Sequence, residues 1–164
     1  QGLESIKIEI TKGAETNQTQ GQSFLNYLKV TDLPVDKLNY NSFKNTNSNA
    51  VLIASDRECK QIAEELCNYT GTKGLDFVAR INNKFIVGEA KFISDYGGNQ
   101  DKSLLDAKTL LSKTNCERVI IIDGVCFMKS KHSLYKTITN ELRDENVLSA
   151  LLLNDFLKFK LNET

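Results

Sequence analysis

The sequence predicts an α/β fold in which a central mixed β-sheet is covered by helices on both faces, with the element order α-β-β-β-α-β in its core. Three observations lead to this prediction. Residues 75–93 have the pattern of a β-hairpin, amphipathic helices are indicated before and after it, and residues 118–123 form a strand that is apolar on both faces. Because such a strand has no side that can face water, helices are expected above and below the sheet.

The first third of the chain gives the weakest pattern. Residues 4–10 alternate as a short strand, residues 12–22 are polar and predict a loop, and residues 24–30 predict a short helix ending near Pro34. Residues 38–49 are again polar. We therefore treat the chain as a single domain, with residues 1–49 as an accessory segment and residues 50–164 as its core.

The core begins with a predicted helix over residues 50–68 whose start is ambiguous. Ser55 and Glu58 have the spacing of a capping box, in which each side chain pairs with the other residue's backbone N–H. Apolar residues then recur at helical spacing, which gives the helix one buried face. Cys59 and Cys67 lie on that face.

The hairpin that follows brings three charged residues together. Asn82 and Asn83 tolerate the positive φ of a two-residue turn, and both flanking runs are rich in β-branched and aromatic residues. Because side chains alternate along a strand, Glu89 and Lys91 share one face, and Asp76 lies near the open end of the partner strand. An aspartate, a glutamate and a lysine are predicted to meet there.

Two carboxylates beside an ammonium suit hydrolysis of a phosphodiester. Carboxylate oxygens hold Mg²⁺ while leaving several of its waters in place, and the lysine can orient the attacking water. The simpler interpretation is a surface ion pair between Glu89 and Lys91, which would contribute little. The strand around them is too apolar for that interpretation, and Gly88 leaves space for a close approach of backbone.

The remaining elements complete the layers. The turn-prone residues 94–100 precede a helix that carries Leu104 and Leu111, and the glycines of this turn could expose backbone N–H groups to a phosphate. A strand follows at residues 118–123, then an amphipathic helix around Ile138. Residues 147–153 predict a further strand or short helix, and residues 156–161 end the pattern.

Composition excludes some classes of function and leaves others open. The 164 residues carry 21 basic and 21 acidic side chains, so net charge gives no indication of a nucleic-acid partner. His132 is the only histidine, which excludes a metal site built on several imidazoles, and it is expected at a polar helix entrance.

Four cysteines without metal-site spacing predict reduced thiols rather than disulfides or zinc. No signal peptide or bilayer-spanning run is recognised, and we expect a cytoplasmic protein that does not associate with membranes.

Residues 50–123 resemble the PD-(D/E)XK nuclease superfamily and, within it, the type II restriction endonucleases. The resemblance rests on Gly74-Leu75-Asp76, on Glu89-Ala90-Lys91, on the hairpin between them, and on the glutamate-bearing helix before and the glycine-rich helix entrance after. Leu75 departs from the proline of the family name, at a position that tolerates substitution.

The resemblance implies a restriction-endonuclease-like fold and a Mg²⁺-dependent DNA endonuclease. By this analogy, Asp76 and Glu89 are the carboxylate ligands of the metal, the Ala90 carbonyl is a third ligand, and Lys91 positions the water. Glu58 is our choice for an additional metal ligand from the preceding helix, with Glu64 as runner-up. Contacts to double-stranded DNA are expected from Asn99, Gln100 and Lys102.

Several alternatives stay open. One such site cuts one DNA strand, so a homodimer or a partner subunit for recognition or cleavage is expected. A cleavage domain or small subunit that relies on a separate recognition module is one alternative. The same three residues would serve a structure-specific nuclease, such as a junction resolvase, or a methyl-dependent nuclease. A non-catalytic nucleic-acid-binding relative is less favoured, because such a protein would not need charges inside an apolar strand.

Overall fold

A computed structural model of the chain describes residues 17–93, 100–127 and 133–163. Within these residues, a six-stranded mixed sheet occupies the centre, with its strands side by side in sequence order. They are β1 (Asp36–Leu38), β2 (Ala50–Leu52), β3 (Phe77–Ile81), β4 (Lys84–Ile93), β5 (Glu117–Gly124) and β6 (Asn146–Leu148). The predicted α/β class is confirmed, and the architecture is consistent with a restriction-endonuclease-like fold.

The sheet changes strand direction in its middle. β3 pairs antiparallel with both of its neighbours, β2 and β4, whereas β1 runs parallel to β2. β4, β5 and β6 are parallel neighbours. The parallel half needs crossover connections, and the helices that make them cover the sheet.

Helices lie on both faces of the sheet. They are α1 (Asn17–Val30), α2 (Tyr40–Asn45), α3 (Asp56–Cys67), α4 (Gln100–Leu111), α5 (Ser133–Lys136) and α6 (Leu153–Asn162). A π-helical segment (Thr137–Glu141) follows α5, and 3-10 turns span Val125–Phe127 and Ala150–Leu152. None of the helices in the described part of the chain combines the length and hydrophobicity needed to cross a bilayer.

Two hydrophobic cores result, one on each face of the sheet. The first lies under α3, α4 and α5 and includes Ile62, Leu104 and Ile120. The second lies under α1 and α6 and includes Leu28 and Ile121. Because Ile120 and Ile121 are adjacent in β5 and belong to opposite cores, the prediction of a strand buried on both faces is confirmed.

The locally determined elements follow the sequence. Asn82 and Asn83 adopt φ values of 49° and 62° in the turn between β3 and β4, so the hairpin prediction is confirmed. Ser55 and Glu58 form the reciprocal capping box at the start of α3. The helix predicted after residue 100 is α4.

Other elements differ from the sequence prediction. Residues 50–52 begin no helix but form β2, because Ala50 and Val51 pair with β3 and are buried there. Residues 17–22, predicted as loop, belong to α1, whose apolar residues start only at Phe24. The strand predicted at residues 4–10 and the helix entrance around His132 lie outside the described residues.

The prediction that all four cysteines are reduced is wrong. Cys67 and Cys116 form a disulfide that joins the end of α3 to the residue before β5. Their Cα atoms are 5.2 Å apart because the Cys67 carbonyl accepts hydrogen bonds from the Asn115 N–H and the Thr114 hydroxyl, at 3.1 and 2.9 Å. Cys59 and Cys126 are buried and are not disulfide-bonded.

Candidate active site

The hairpin sets the positions of Asp76, Glu89 and Lys91 at the candidate site. Phe77 pairs with Gly88, which places Asp76 at the entrance to β3 and Glu89 one residue further along β4. Gly88 must lack a side chain, because a Cβ there would lie 2.7 Å from Cγ1 and 2.9 Å from the carbonyl oxygen of Val119. β3, β4 and β5 can therefore pack closely beside the site.

Asp76 is fixed by the main chain of β4. Its N–H donates to the Gly88 carbonyl at 3.2 Å, and its Oδ2 accepts from the Ala90 N–H at 3.0 Å. Burial raises the pKa of the Asp76 carboxyl, although the Ala90 N–H and the charge of Lys91 oppose the shift. The carboxylate thus lies against the peptide group between Glu89 and Ala90.

Glu89 and Lys91 form a mostly buried ion pair. The Lys91 Nζ lies 2.9 Å from Glu89 Oε2, and Glu89 is only 5% exposed. Burial raises the pKa of Glu89 to about 7, with a further upward contribution from Asp76 and an opposing one from Lys91. Burial by itself would lower the pKa of Lys91, but the Glu89 carboxylate outweighs it and the pKa is raised. The pair is therefore no solvated surface contact.

The three groups open into a cavity of about 170 Å³ between the sheet, α3 and α4. Asp56, Lys73 and Asp106 also line it, and none of them was singled out by the sequence. Lys73 lies three residues before Asp76. Asp106 lies on the face of α4 that is turned toward the hairpin, across the cavity. The helical spacing of Ser103, Asp106 and Leu110 is the sequence signal for that face.

A larger cavity, about 490 Å³, lies where β5 and β6 begin. It is lined by acidic residues and by Arg118, whose Nη2 lies 3.2 Å from Glu145 Oε2. Among the predicted site residues whose side chains the structure describes, none lines this cavity. We therefore place the candidate site at the smaller cavity, where the carboxylates and the lysine converge.

Glu58, the predicted helix ligand, is not part of this cavity. Its Oε2 accepts hydrogen bonds from the Ser55 N–H at 2.9 Å and the Ser55 hydroxyl at 2.7 Å. The Ser55 backbone N–H, followed by the hydroxyl, lowers the pKa of Glu58, so the carboxylate serves the helix cap. Glu64, the runner-up, is solvent-exposed, and its Oε1 lies 3.4 Å from the Lys60 Nζ.

The acid of α3 that does line the cavity is Asp56. Its carbonyl accepts from the Leu75 N–H at 3.2 Å, which ties the start of α3 to the approach to Asp76. Gly74 permits this contact, because a Cβ there would lie 2.8 Å from the Asp56 Cβ. The capping box therefore turns Glu58 back toward Ser55 while Asp56 faces the hairpin.

The predicted DNA contacts are only partly covered by the structure. Asn99 lies outside the described residues. Gln100 and Lys102 belong to the first turn of α4, the helix whose Ser103 and Asp106 line the cavity. Their role in DNA binding stays a prediction.

The described residues contain no group of three or more histidine, cysteine, aspartate or glutamate side chains that could hold a metal ion. Mg²⁺ does not need such a group. It is commonly held by one or two carboxylates with the rest of its octahedron filled by water, substrate oxygens or a carbonyl. Asp76 and Glu89 supply two hard oxygen donors, and four carboxylates line the cavity against the ammonium groups of Lys73 and Lys91, so the donor set fits a divalent cation.

Comparison with known proteins gives a match to a protein family. The model of the Tsp45I type II restriction enzyme family matches residues 1–160. The match includes the hairpin, the two helices that line the cavity and the segment before residue 50. No curated protein and no solved structure matches the chain.

Proposed function

The chain belongs to the Tsp45I family of type II restriction enzymes and is therefore a DNA endonuclease; from this premise we propose that it hydrolyses phosphodiesters with Mg²⁺ at Asp76, Glu89 and Lys91. The proposal includes membership of the PD-(D/E)XK superfamily. It also treats residues 1–164 as one nuclease domain.

One observation carries the proposal: two carboxylates and an ammonium from adjoining segments of one hairpin meet in a cavity. The Ala90 N–H holds Asp76 at 3.0 Å, and Lys91 holds Glu89 at 2.9 Å. The structure therefore pre-organises these groups before DNA binds. Because charged groups that are already in place cost no reorganisation during the reaction, they can stabilise the transition state electrostatically.

The Asp76 and Glu89 carboxylates and the Ala90 carbonyl would hold the metal. Bound Mg²⁺ would polarise the scissile phosphate and lower the pKa of a water molecule that attacks it. Glu58 is left out of this set because its carboxylate is held by Ser55.

Lys91 has two roles in this proposal. Its ammonium donates a hydrogen bond to the attacking water and orients it toward phosphorus. It also offsets the negative charge that develops on the phosphate oxygens in the transition state. Glu89 keeps the flexible lysine side chain in place through their ion pair.

The substrate is double-stranded DNA, and its sugar-phosphate backbone would approach the cavity mouth. Lys73 is exposed there and can contact a phosphate. Asn99, Gln100 and Lys102 are kept as the DNA contacts predicted from the sequence. Each chain carries one Asp76/Glu89/Lys91 set. Cleavage of both strands then requires a second set, from a homodimer or from a partner subunit.

The test is cleavage of unmodified supercoiled plasmid by the Asp76→Ala protein. We expect cleavage in Mg²⁺ to fall by roughly 10³-fold or more, because the metal loses a carboxylate, while DNA binding measured in EDTA is retained. Glu64→Ala is the matched control, since Glu64 is exposed and pairs only with Lys60 among the described contacts. Undiminished cleavage by Asp76→Ala would contradict the proposed site.

The same assay separates the alternative nucleases. Discrete fragments from unmodified DNA are expected. Cleavage restricted to four-way junctions or to methylated DNA would assign the same three residues to a structure-specific or methyl-dependent enzyme instead.

A further inference from the structure

Helix α1 reaches the candidate site from the side of the sheet opposite the cavity helices. Gly21, Phe24 and Leu28 follow one another at helical spacing, and Phe24 and Leu28 are buried in the second core. The Phe24 ring packs edge-on against Phe77, with 6.4 Å between ring centroids. Because Phe77 directly follows Asp76, this packing brings Gly21 to the Asp76 side chain.

The contact between Gly21 and Asp76 has no room for a methyl group. A Cβ on Gly21 would lie 2.8 Å from Asp76 Oδ1 and 3.9 Å from its Cγ. Glycine is unfavourable inside a helix relative to alanine, because it loses more backbone freedom on folding. At this position the absence of a side chain makes space for the carboxylate.

The two carboxylate oxygens of Asp76 thus have different neighbours. Oδ2 accepts a hydrogen bond from the Ala90 N–H at 3.0 Å, and Oδ1 faces the backbone of α1 at Gly21. A side chain at residue 21 would meet the far end of the Asp76 side chain rather than any backbone atom. The carboxylate can rotate away from such a contact while the fold stays intact.

We propose that Gly21 is a positioning residue of the endonuclease, which lets α1 pack against Asp76 and hold its carboxylate in the orientation set by the Ala90 N–H. This inference rests on the proposed role of Asp76 as a metal ligand. It makes α1 part of the catalytic unit, although the sequence suggested only an accessory segment there. The same helix is anchored far along the chain, because the Tyr27 hydroxyl donates to the Ala150 carbonyl at 2.7 Å.

The test is the Gly21→Ala protein, assayed for cleavage across a Mg²⁺ titration. We expect the cleavage rate to fall about 10- to 100-fold, as a displacement of about 1 Å at a reacting group does, and the Mg²⁺ concentration for half-maximal rate to rise. DNA binding in EDTA should be unchanged. The melting temperature should stay the same or rise by up to about 2–4 °C, because alanine favours the helix.

Gln22→Ala is the matched control. Gln22 is the exposed neighbour on the same helix, where its amide donates only to Asn26 at 3.1 Å among the described contacts. We expect this protein to cleave at the wild-type rate with the wild-type Mg²⁺ requirement.

Two results would overturn the inference. One is wild-type cleavage and Mg²⁺ requirement in Gly21→Ala. The other is a lowered melting temperature, which would mean that the methyl group displaces α1 and disturbs the fold. Asp76→Ala is measured in parallel: if it still cleaves, the proposed function fails, whereas if it is inactive and Gly21→Ala is normal, only the role of Gly21 fails.

Discussion

At the scale of single residues, the candidate site depends on how each carboxylate is held. Asp76 is held by a backbone N–H, Glu89 by Lys91, and Glu58 by Ser55. The first two open into the cavity and the third does not. Carboxylates that lie between residues 58 and 89 therefore differ in their surroundings, and the partner of each decides whether it opens into the cavity.

The pair Asp56 and Glu58 tests this assignment directly. We expect Asp56→Asn to raise the Mg²⁺ requirement of cleavage by about tenfold, because it removes a negative charge that lines the cavity. Glu58→Gln should leave cleavage unchanged and lower the free energy of unfolding by about 0.5–1 kcal/mol through its weakened helix cap. Cleavage kinetics and thermal unfolding measure the two effects separately.

The reverse pattern would contradict the assignment. If Glu58→Gln impaired cleavage and Asp56→Asn did not, the helix acid predicted from the sequence would be the one that serves the reaction.

Glu58 is predicted as a metal ligand because it lies near the buried face of α3, but it is also the glutamate of the capping box. The two observations point to different roles for the same side chain. A capping glutamate is turned back toward the helix entrance, so its carboxylate is used by the backbone. The acid of α3 that lines the cavity is Asp56, at the first position of the helix, and this follows from the tertiary packing of α3 on the segment before β3.

At the scale of elements, the sequence predicted correctly those turns and helix starts that depend on residues close together in the chain. The hairpin follows from two asparagines that accept positive φ, and the start of α3 follows from a pair three residues apart. Strand β2 is too short to have a period of its own and exists because β3 pairs with it. The polar start of α1 offers no apolar stripe, so the packing of Phe24 on β3 was needed to identify it.

The disulfide is likewise a contact between elements that no spacing rule predicts, since its cysteines are 49 residues apart. We expect reduction to lower the free energy of unfolding by about 2–4 kcal/mol, because the unfolded chain regains the freedom of that loop. The melting temperature should fall by roughly 5–15 °C. Thermal unfolding with and without dithiothreitol measures the effect.

The control for this experiment is the Cys67→Ser/Cys116→Ser protein. Its melting temperature should not respond to dithiothreitol. A wild-type melting temperature that is equally indifferent to the reductant would show that the disulfide does not stabilise the chain.

At the scale of the whole molecule, helices cover both faces of the sheet. The candidate site lies where helices from both faces approach the hairpin. The cavity is bounded by α3 and α4, whereas α1 contacts Asp76 from the opposite face. The family match over residues 1–160 includes all three helices. The convergence of Asp76, Glu89 and Lys91 could be predicted from one hairpin, whereas the groups around them come from helices distant in the sequence and could not be.

The measurement that tests the central claim most directly is digestion of long unmodified DNA by the purified chain, with and without Mg²⁺, beside a Lys91→Met protein whose melting temperature and DNA binding are checked. The account predicts discrete fragments in Mg²⁺, none in EDTA, recovery when excess Mg²⁺ is added back, and none from Lys91→Met although it binds DNA. The same fragments in EDTA, or undiminished cleavage by Lys91→Met, would contradict a metal-dependent site at Asp76, Glu89 and Lys91.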